Sequence, residues 1–487
     1  MNSDVEKFIK GESKNSYNYF GAHKVSEGAC FRIYAPHAKE IEVVVNDKNY
    51  RMDKVDFRGI FETRVKEIRE FDSYYYEVLT NDNVWVNKND PYTFYNENNK
   101  SVFVEKDEYI FNDEIWFNKE KDSSYFNACL LKDGFKMDEQ RDFIKYLKEY
   151  NYNYLILRPY NEKYFYSINE MFVNDSSLKT FIDNLHQVGI GVLFDIDTSY
   201  FYDYELGLND LDGEGVYNKK EDKYKDIDVI YFDTNKNHTK SYLTSFVNYY
   251  LNGFHGDGLY LDDSEFNKEL VNELEDKLII YKGKENKQGY ASSEYLDTIV
   301  NNVNGEFDHK AFANNKMCLE SYYLYDYEKY FNCIKGNEEK KKDIAKVLLS
   351  ITYVGGVNVI STYNVDEEYL KCLKILTDLK KNSKALLVNS KRNMLLNGKK
   401  NKYFAYEFIS RNDYVLMVLN FSSFEDDKFD LGMSSYGYYK LLLNNKINYD
   451  EEELFVTRAK KVHNKDIALQ MKLESNQVLV FKRMKGI

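Results

Sequence analysis

Proline is nearly absent from this chain: three residues in 487, at positions 36, 91 and 159. No long linker and no internal repeat interrupts the sequence. Cysteine is almost as rare. The five residues, Cys30, Cys129, Cys318, Cys333 and Cys372, are scattered, odd in number and form no CxxC, which excludes a disulfide framework and reads as free thiols in a reducing cytoplasm. Positive charge is in deficit. A net charge of -13 argues against a nucleic-acid backbone or an anionic membrane as partner, while a neutral polymer meets no such objection. The apolar run from about Val347 to Ile360 is too short to span a bilayer and contains two glycines. The opening Met1-Asn2-Ser3-Asp4-Val5-Glu6 has no basic region followed by an apolar one, so no secretory signal is expected. Neither HExxH nor a calcium-loop pattern occurs, so no metal and no cofactor is expected.

What is present is an ordinary share of apolar (43 %) and charged (30 %) residues, enough for two or three domains with their own cores. Tyrosine is very abundant, with 46 residues, a bias that reads as AT-rich codon usage before it reads as a sugar-stacking surface. Up to about residue 118, short runs such as Ala29 to Tyr34, Glu40 to Val45 and Tyr74 to Val78 alternate at period two, which predicts a small β-sandwich. Trp85 is expected to pack within it, with a stacking platform as the alternative, and Trp116 to join it to the barrel. From about 125 the rhythm changes to alternating strands and helices. Tyr125 to Leu131, Asn153 to Arg158, Ile190 to Ile196 and the run ending at Asp262 read as strands. Met137 to Tyr150, Ser177 to Val188 and Thr239 to Leu251 read as helices. Repeated β-then-α units imply a parallel sheet, with a barrel as the leading candidate. After about 385 the pattern returns to strands. The expected division is 1–118, an N-terminal β-sandwich; 119–384, a (β/α)8-type barrel; and 385–487, an all-β domain.

The segment His255-Gly256-Asp257-Gly258-Leu259-Tyr260-Leu261-Asp262 ends a buried apolar strand on a carboxylate, after a tight Asp-Gly turn. Barrel enzymes present nucleophiles at such strand ends. It resembles the nucleophile strand of the α-amylase superfamily (glycoside hydrolase family 13), which reads Asp-Gly-(Leu/Phe)-Arg-(Val/Leu)-Asp. Further likeness to glycogen branching enzymes runs through the chain. Gly21-Ala22-His23, Tyr34-Ala35-Pro36-His37-Ala38 and Asp90-Pro91-Tyr92 resemble their family 48 carbohydrate-binding module. His186-Gln187-Val188-Gly189-Ile190-Gly191-Val192 resembles their His-Gln-Ala-Gly-Ile-Gly-Val, Leu211-Asp212-Gly213 their Phe-Asp-Gly, and Leu376 to Leu386 their last barrel helix.

The resemblance implies a retaining mechanism with two carboxyl groups roughly 5 Å apart. Asp262 falls on the nucleophile. Lys316-Met317-Cys318-Leu319-Glu320-Ser321 resembles the acid/base segment Met-Ala-Glu-Glu-Ser, but an ungapped match puts Leu319 on the acid and Glu320 beside it. A one-residue slip would rescue Glu320, yet on a strand it reverses side-chain direction. Asp195 opens the first signature, whose sugar-binding histidine is replaced by Tyr200. The arginine beside the nucleophile is replaced by Tyr260, which brings no charge. The His-Asp pair of the fourth signature is missing, since no histidine occurs between His309 and His463. Asp366 is the one weak substitute, and it reads better as a helix N-terminal residue. Only about twenty residues separate Ser321 from Lys341, where the family fits a strand, a helix and another strand, so the barrel is expected to be shortened or irregular there. Tyr166 aligns with the tyrosine that stacks under the reacting sugar, although a core tyrosine fits the residue as well.

The reading is therefore a branching-enzyme-like protein that binds α-glucan (glycogen or maltooligosaccharide), with catalysis lost or strongly weakened. An active 1,4-α-glucan branching enzyme using Asp262 and Glu320 is the alternative. A non-catalytic interaction protein without sugar binding is the third.

Overall fold

The computed structural model describes residues 3–484, apart from 106–107, 119–124, 133, 220–228, 275, 283–290, 293, 305–322, 356–357, 364, 388–389, 399–401 and 447–452. Two compact units emerge from it. The first holds residues 1–118, 133–140 and 156–280; the second holds 119–132, 141–155 and 281–487.

In the first unit, helix α1 (Ser3–Lys10) precedes ten strands: β1 (Gly21–Lys24), β2 (Ala29–Tyr34), β3 (Glu40–Val45), β4 (Lys48–Arg51), β5 (Asp53–Asp56), β6 (Ile60–Val65), β7 (Ser73–Leu79), β8 (Trp85–Lys88), β9 (Tyr95–Glu97) and β10 (Lys100–Val102). They form two antiparallel sheets, ordered β1-β2-β6-β5 and β4-β3-β7-β10-β9, with β8 also on β7. The period-two pattern does the expected work on β7, where every second side chain is buried along its length. Trp85 departs from expectation. It is 47 % exposed because β8 places it on the outward side of the alternation.

Helix α2 (Glu114–Asn118) leads on to four strands: β11 (Tyr154–Leu157), β12 (Gly191–Asp195), β13 (Gly258–Leu261) and β14 (Leu278–Tyr281). They lie in the order β14-β13-β12-β11. β12 and β13 run parallel with Asp195 opposite Tyr260, and every residue of β13 is buried, as befits strands covered on both faces. Helices α3 (Asp175–Gln187), α4 (Asn237–Gly253) and α5 (Glu265–Val271) intervene. α3 starts where Asn174 accepts from Ser177 N at 2.8 Å, and α5 where Ser264 accepts from Asn267 N at 3.3 Å, both N-caps. The first residues of the chain lie along α4. Val5 and Phe8 are buried, and Ser13 N and Ser16 N donate to Ser241 Oγ (3.2 Å) and Ser245 Oγ (2.9 Å). Ser245 Oγ in turn donates to Ser13 O at 3.1 Å.

The second unit carries parallel strands Phe126–Leu130, Asn358–Thr362, Tyr323–Asp326 and Ala291–Ser292, in that order. Between Tyr323–Asp326 and Asn358–Thr362 come a short helix, Tyr327–Cys333, and a long one, Glu338–Gly355, with no strand between them among the described residues. The barrel is irregular at the expected place. Strands from Lys391 to Arg483 form a six-stranded and a three-stranded sheet around Leu416, Val418, Leu431, Leu469 and Phe481, all fully buried. The architecture is a (β/α)8-type barrel fold with β domains on either side of it in sequence. Among the described residues no helix is long and apolar enough to cross a membrane.

Candidate functional site

Strand β13 carries a carboxylate before its first residue and another after its last. The approach to it is tight. His255 has φ +54°, a Cβ on Gly256 would meet the Phe194 ring at 2.3 Å, and one on Gly258 would meet the Leu278 carbonyl oxygen at 1.9 Å. Only glycine fits at either position.

Asp257, at the start of β13, is 4 % exposed and fully engaged. Its Oδ1 accepts from Trp116 Nε1 at 2.8 Å, its Oδ2 accepts from Val192 N at 2.7 Å, and His186 Nε2 lies 3.0 Å from Oδ2. The other nitrogen of that ring, His186 Nδ1, lies 2.8 Å from Asp113 Oδ2, and His255 Nδ1 stands 3.0 Å from the same oxygen. Trp116 stacks on His186 with ring centres 5.3 Å apart. Trp116 thus belongs to a polar network in which each member has a partner.

The opposite end of the strand is the rim. Asp262 is half-buried and meets neutral donors. Asn267 Nδ2 donates to Asp262 Oδ1 (2.8 Å) and to the Asp262 carbonyl (3.1 Å), and Ser199 Oγ donates to Oδ2 (3.2 Å). Thr198 Oγ1 donates to Asn267 Oδ1 at 2.8 Å. Among the described residues no arginine or lysine pairs with Asp262. The neighbouring Asp195, at the end of β12, is held differently: Arg158 Nη2 lies 3.0 Å from its Oδ2. The same guanidinium also bonds Glu162 and sits 5.8 Å over the Tyr160 ring. Burial works to lower the Arg158 pKa, but Tyr160 and Asp195 outweigh it and raise it above the usual arginine range. Tyr160 accepts from Asp197 N at 3.0 Å.

The remaining candidates separate clearly. Tyr260 is 7 % exposed within β13, beside Asp195 in register. Tyr200 is half-buried and begins strand Tyr200–Tyr202; burial pushes its phenol up. Tyr166 offers no stacking face. It is fully buried, donates to Tyr242 O at 3.1 Å, and is packed by Tyr92, Tyr249 and Tyr242 at 5.0, 5.5 and 5.6 Å. The expected sugar contact is corrected to a core role, because apolar packing covers the ring. Asp366 caps helix Glu367–Asn382, accepting from Tyr369 N at 3.1 Å. Glu320 lies outside the described residues. Arg158, Thr198, Ser199 and Asn267 escaped the sequence reading, since nothing in their spacing marks them. Among the described residues no group of three or more His, Cys, Asp or Glu is arranged to hold a metal ion.

Residues 1–92 match the family model of the alpha-1,4-glucan branching enzyme N-terminal domain, and residues 396–484 that of the alpha amylase C-terminal all-beta domain. The 1,4-alpha-glucan branching enzyme GlgB 1 of Clostridium perfringens is 30 % identical over 302 residues, 53 % of this chain and 45 % of that protein. Over about half of its length the chain is similar to the 1,4-alpha-glucan branching enzymes. The corresponding protein of Francisella tularensis subsp. novicida is 29 % identical over 343 residues, 61 % of this chain and 53 % of its own length. The chain spans about half the length of these curated relatives. Among solved structures, pullulanase type I from Bacillus subtilis, complexed with maltose, superposes with a TM-score of 0.73 at 12 % identity, covering 95 % of this chain and 85 % of that one. A putative alpha amylase from Salmonella typhimurium gives 0.65 at 14 %, covering 96 % and 99 %. At those identities the likeness is one of fold.

Proposed function

We propose that this protein binds α-1,4-glucan in the cytoplasm and that its catalysis is lost or strongly weakened. The three-part division at 118 and 384 belongs to the same reading. The observation that carries it is the environment of Asp262. Its donors are an amide and a hydroxyl, and Tyr260 occupies the place of the family's arginine. A retaining glycosidase must stabilise an oxocarbenium-like transition state with a second carboxyl group and a preorganised field. Neutral donors orient a carboxylate without supplying that charge. Binding is a lesser demand: carboxylates, an arginine and phenols at one rim are groups that recognise sugar hydroxyls. The relatives' printed function and the maltose in the Bacillus subtilis pullulanase support glucan as the ligand class.

A working branching enzyme is the second reading, favoured by Asp262 itself, which stands oriented at the C-terminal end of its strand. An amylose–iodine branching assay run beside Asp262→Ala separates the two. No change in absorbance from either protein is expected. A fall that Asp262→Ala abolishes would establish an enzyme. Titration with maltoheptaose then tests binding, and an absence of any binding would leave the interaction-protein reading.

A further inference from the structure

Asn267 is fully buried, and Thr198 is 1 % exposed. Position 267 lies five residues beyond Asp262, in the first turn of α5, which folds the amide back beneath the strand end. Every polar group of that side chain is used. Nδ2 donates to the Asp262 carboxylate and to its backbone carbonyl, and Oδ1 accepts from Thr198. The Asp262 carboxylate and carbonyl, both acceptors only, decide which way the amide faces, and the Thr198 hydroxyl braces it by donating to the oxygen that remains. Ser199, next in the chain, holds the second oxygen of Asp262, and its own N–H is tied to Asp197 Oδ1 at 2.9 Å. One short segment, 197–199, thus orients Asp262 from both sides.

We propose that Asn267, braced by Thr198, is the positioning residue of Asp262, fixing the carboxylate as an acceptor for the hydroxyls of a bound sugar. It rests on the glucan-binding reading above and adds how the rim carboxylate is held. A neutral amide aims Asp262, leaves it available to a polyol, and gives it none of the electrostatic help that attack on an anomeric carbon requires. Asn267 itself does not touch the ligand.

The test is a double-mutant cycle on maltoheptaose affinity, measured by calorimetry, with the nearly isosteric Thr198→Val. Thr198→Val should weaken binding roughly three- to tenfold. In an Asp262→Ala background the same change should have an effect below about twofold. Thr198→Ser, which keeps the hydroxyl, should bind as the wild type does. Equal losses in both backgrounds, or a Thr198→Ser protein as weak as Thr198→Val, would overturn the proposal. A second measurement stands without sugar. The Asn267 side-chain NH2 resonances should shift in both Asp262→Ala and Thr198→Val. Resonances unmoved by either change overturn the positioning role, whereas resonances that shift in a protein that binds no maltoheptaose overturn the glucan reading alone.

Discussion

Two aspartates bracket strand β13, four residues long, and they have opposite surroundings. Asp257 at its start is buried among a tryptophan N–H, a backbone N–H and an imidazole whose other nitrogen meets a second carboxylate. Asp262 at its end is half-open and meets an amide and a hydroxyl. In barrel enzymes the first end serves stability and the second serves chemistry. The stability end carries a full set of partners, and the residues that form it (His186, His255, Asp257) lie in the segments that resemble branching enzymes. The rim end carries its carboxylate among neutral donors. On the function proposed above, the rim end serves a bound ligand rather than turnover.

The contrast can be broken most directly at its buried end. Asp257→Ala should lower the free energy of unfolding by about 3–5 kcal/mol, read from denaturant melts; a loss under about 1 kcal/mol would mean that the network is not what anchors α2. A third carboxylate sharpens the point. Asp90 is also buried, but its donors are two phenols, Tyr74 and Tyr76, and the Tyr92 N–H. Burial outweighs them and pushes its pKa from 3.8 to about 6. A raised carboxyl pKa favours the protonated form in the folded state. Its contribution is therefore fully present below pH 3.8 and is lost as pH rises through about 6, by at most about 3 kcal/mol. Asp90→Asn should flatten the stability profile across that window, and an unchanged profile would count against the assignment. Removing the cation beside Asp195 with Arg158→Met should cost about 1–2 kcal/mol, since the guanidinium is partly solvated, checked by thermal unfolding. The smallest change in stability, under about 1 kcal/mol, is expected for Asp262→Ala, together with about tenfold weaker maltoheptaose binding. A larger loss of stability than for Asp257→Ala would reverse the comparison.

Much of the scaffold was legible because it depends on local rules. Period-two runs became the strands of the two β regions, and the Asp-Gly turn gave a strand whose glycines have no room for a side chain. The shortened interval after 321 followed from counting residues against the units they had to form. The rim was less legible, because its partners converge from separate strands and loops. Arg158 reaches Asp195 from 37 positions away, and Thr198 reaches Asn267 from 69 positions away; no one-dimensional spacing encodes either pairing. Tyr166 misled for another reason. A tyrosine serves equally as a sugar platform and as core filling, and which it becomes depends on whether neighbours such as Tyr92 and Tyr242 cover its faces. Trp85 erred in the opposite direction, because the alternation gave β8 two faces without saying which one met solvent.

Domain boundaries commonly fall where the chain is exposed and sparsely contacted. The seam between the first hundred residues and α4 is neither. Ser13 and Ser16 are stitched to Ser241 and Ser245 through backbone groups, Tyr242 donates to the Pro91 carbonyl at 3.0 Å, and the Lys88 ammonium reaches the carbonyls of Glu205 and Asn209 at 3.1 and 2.7 Å. A foreign module spliced in at this point would inherit a helix studded with unanswered hydroxyls. The amino-terminal region and α4 thus complete each other's polar groups, and neither is finished as a fold without the other.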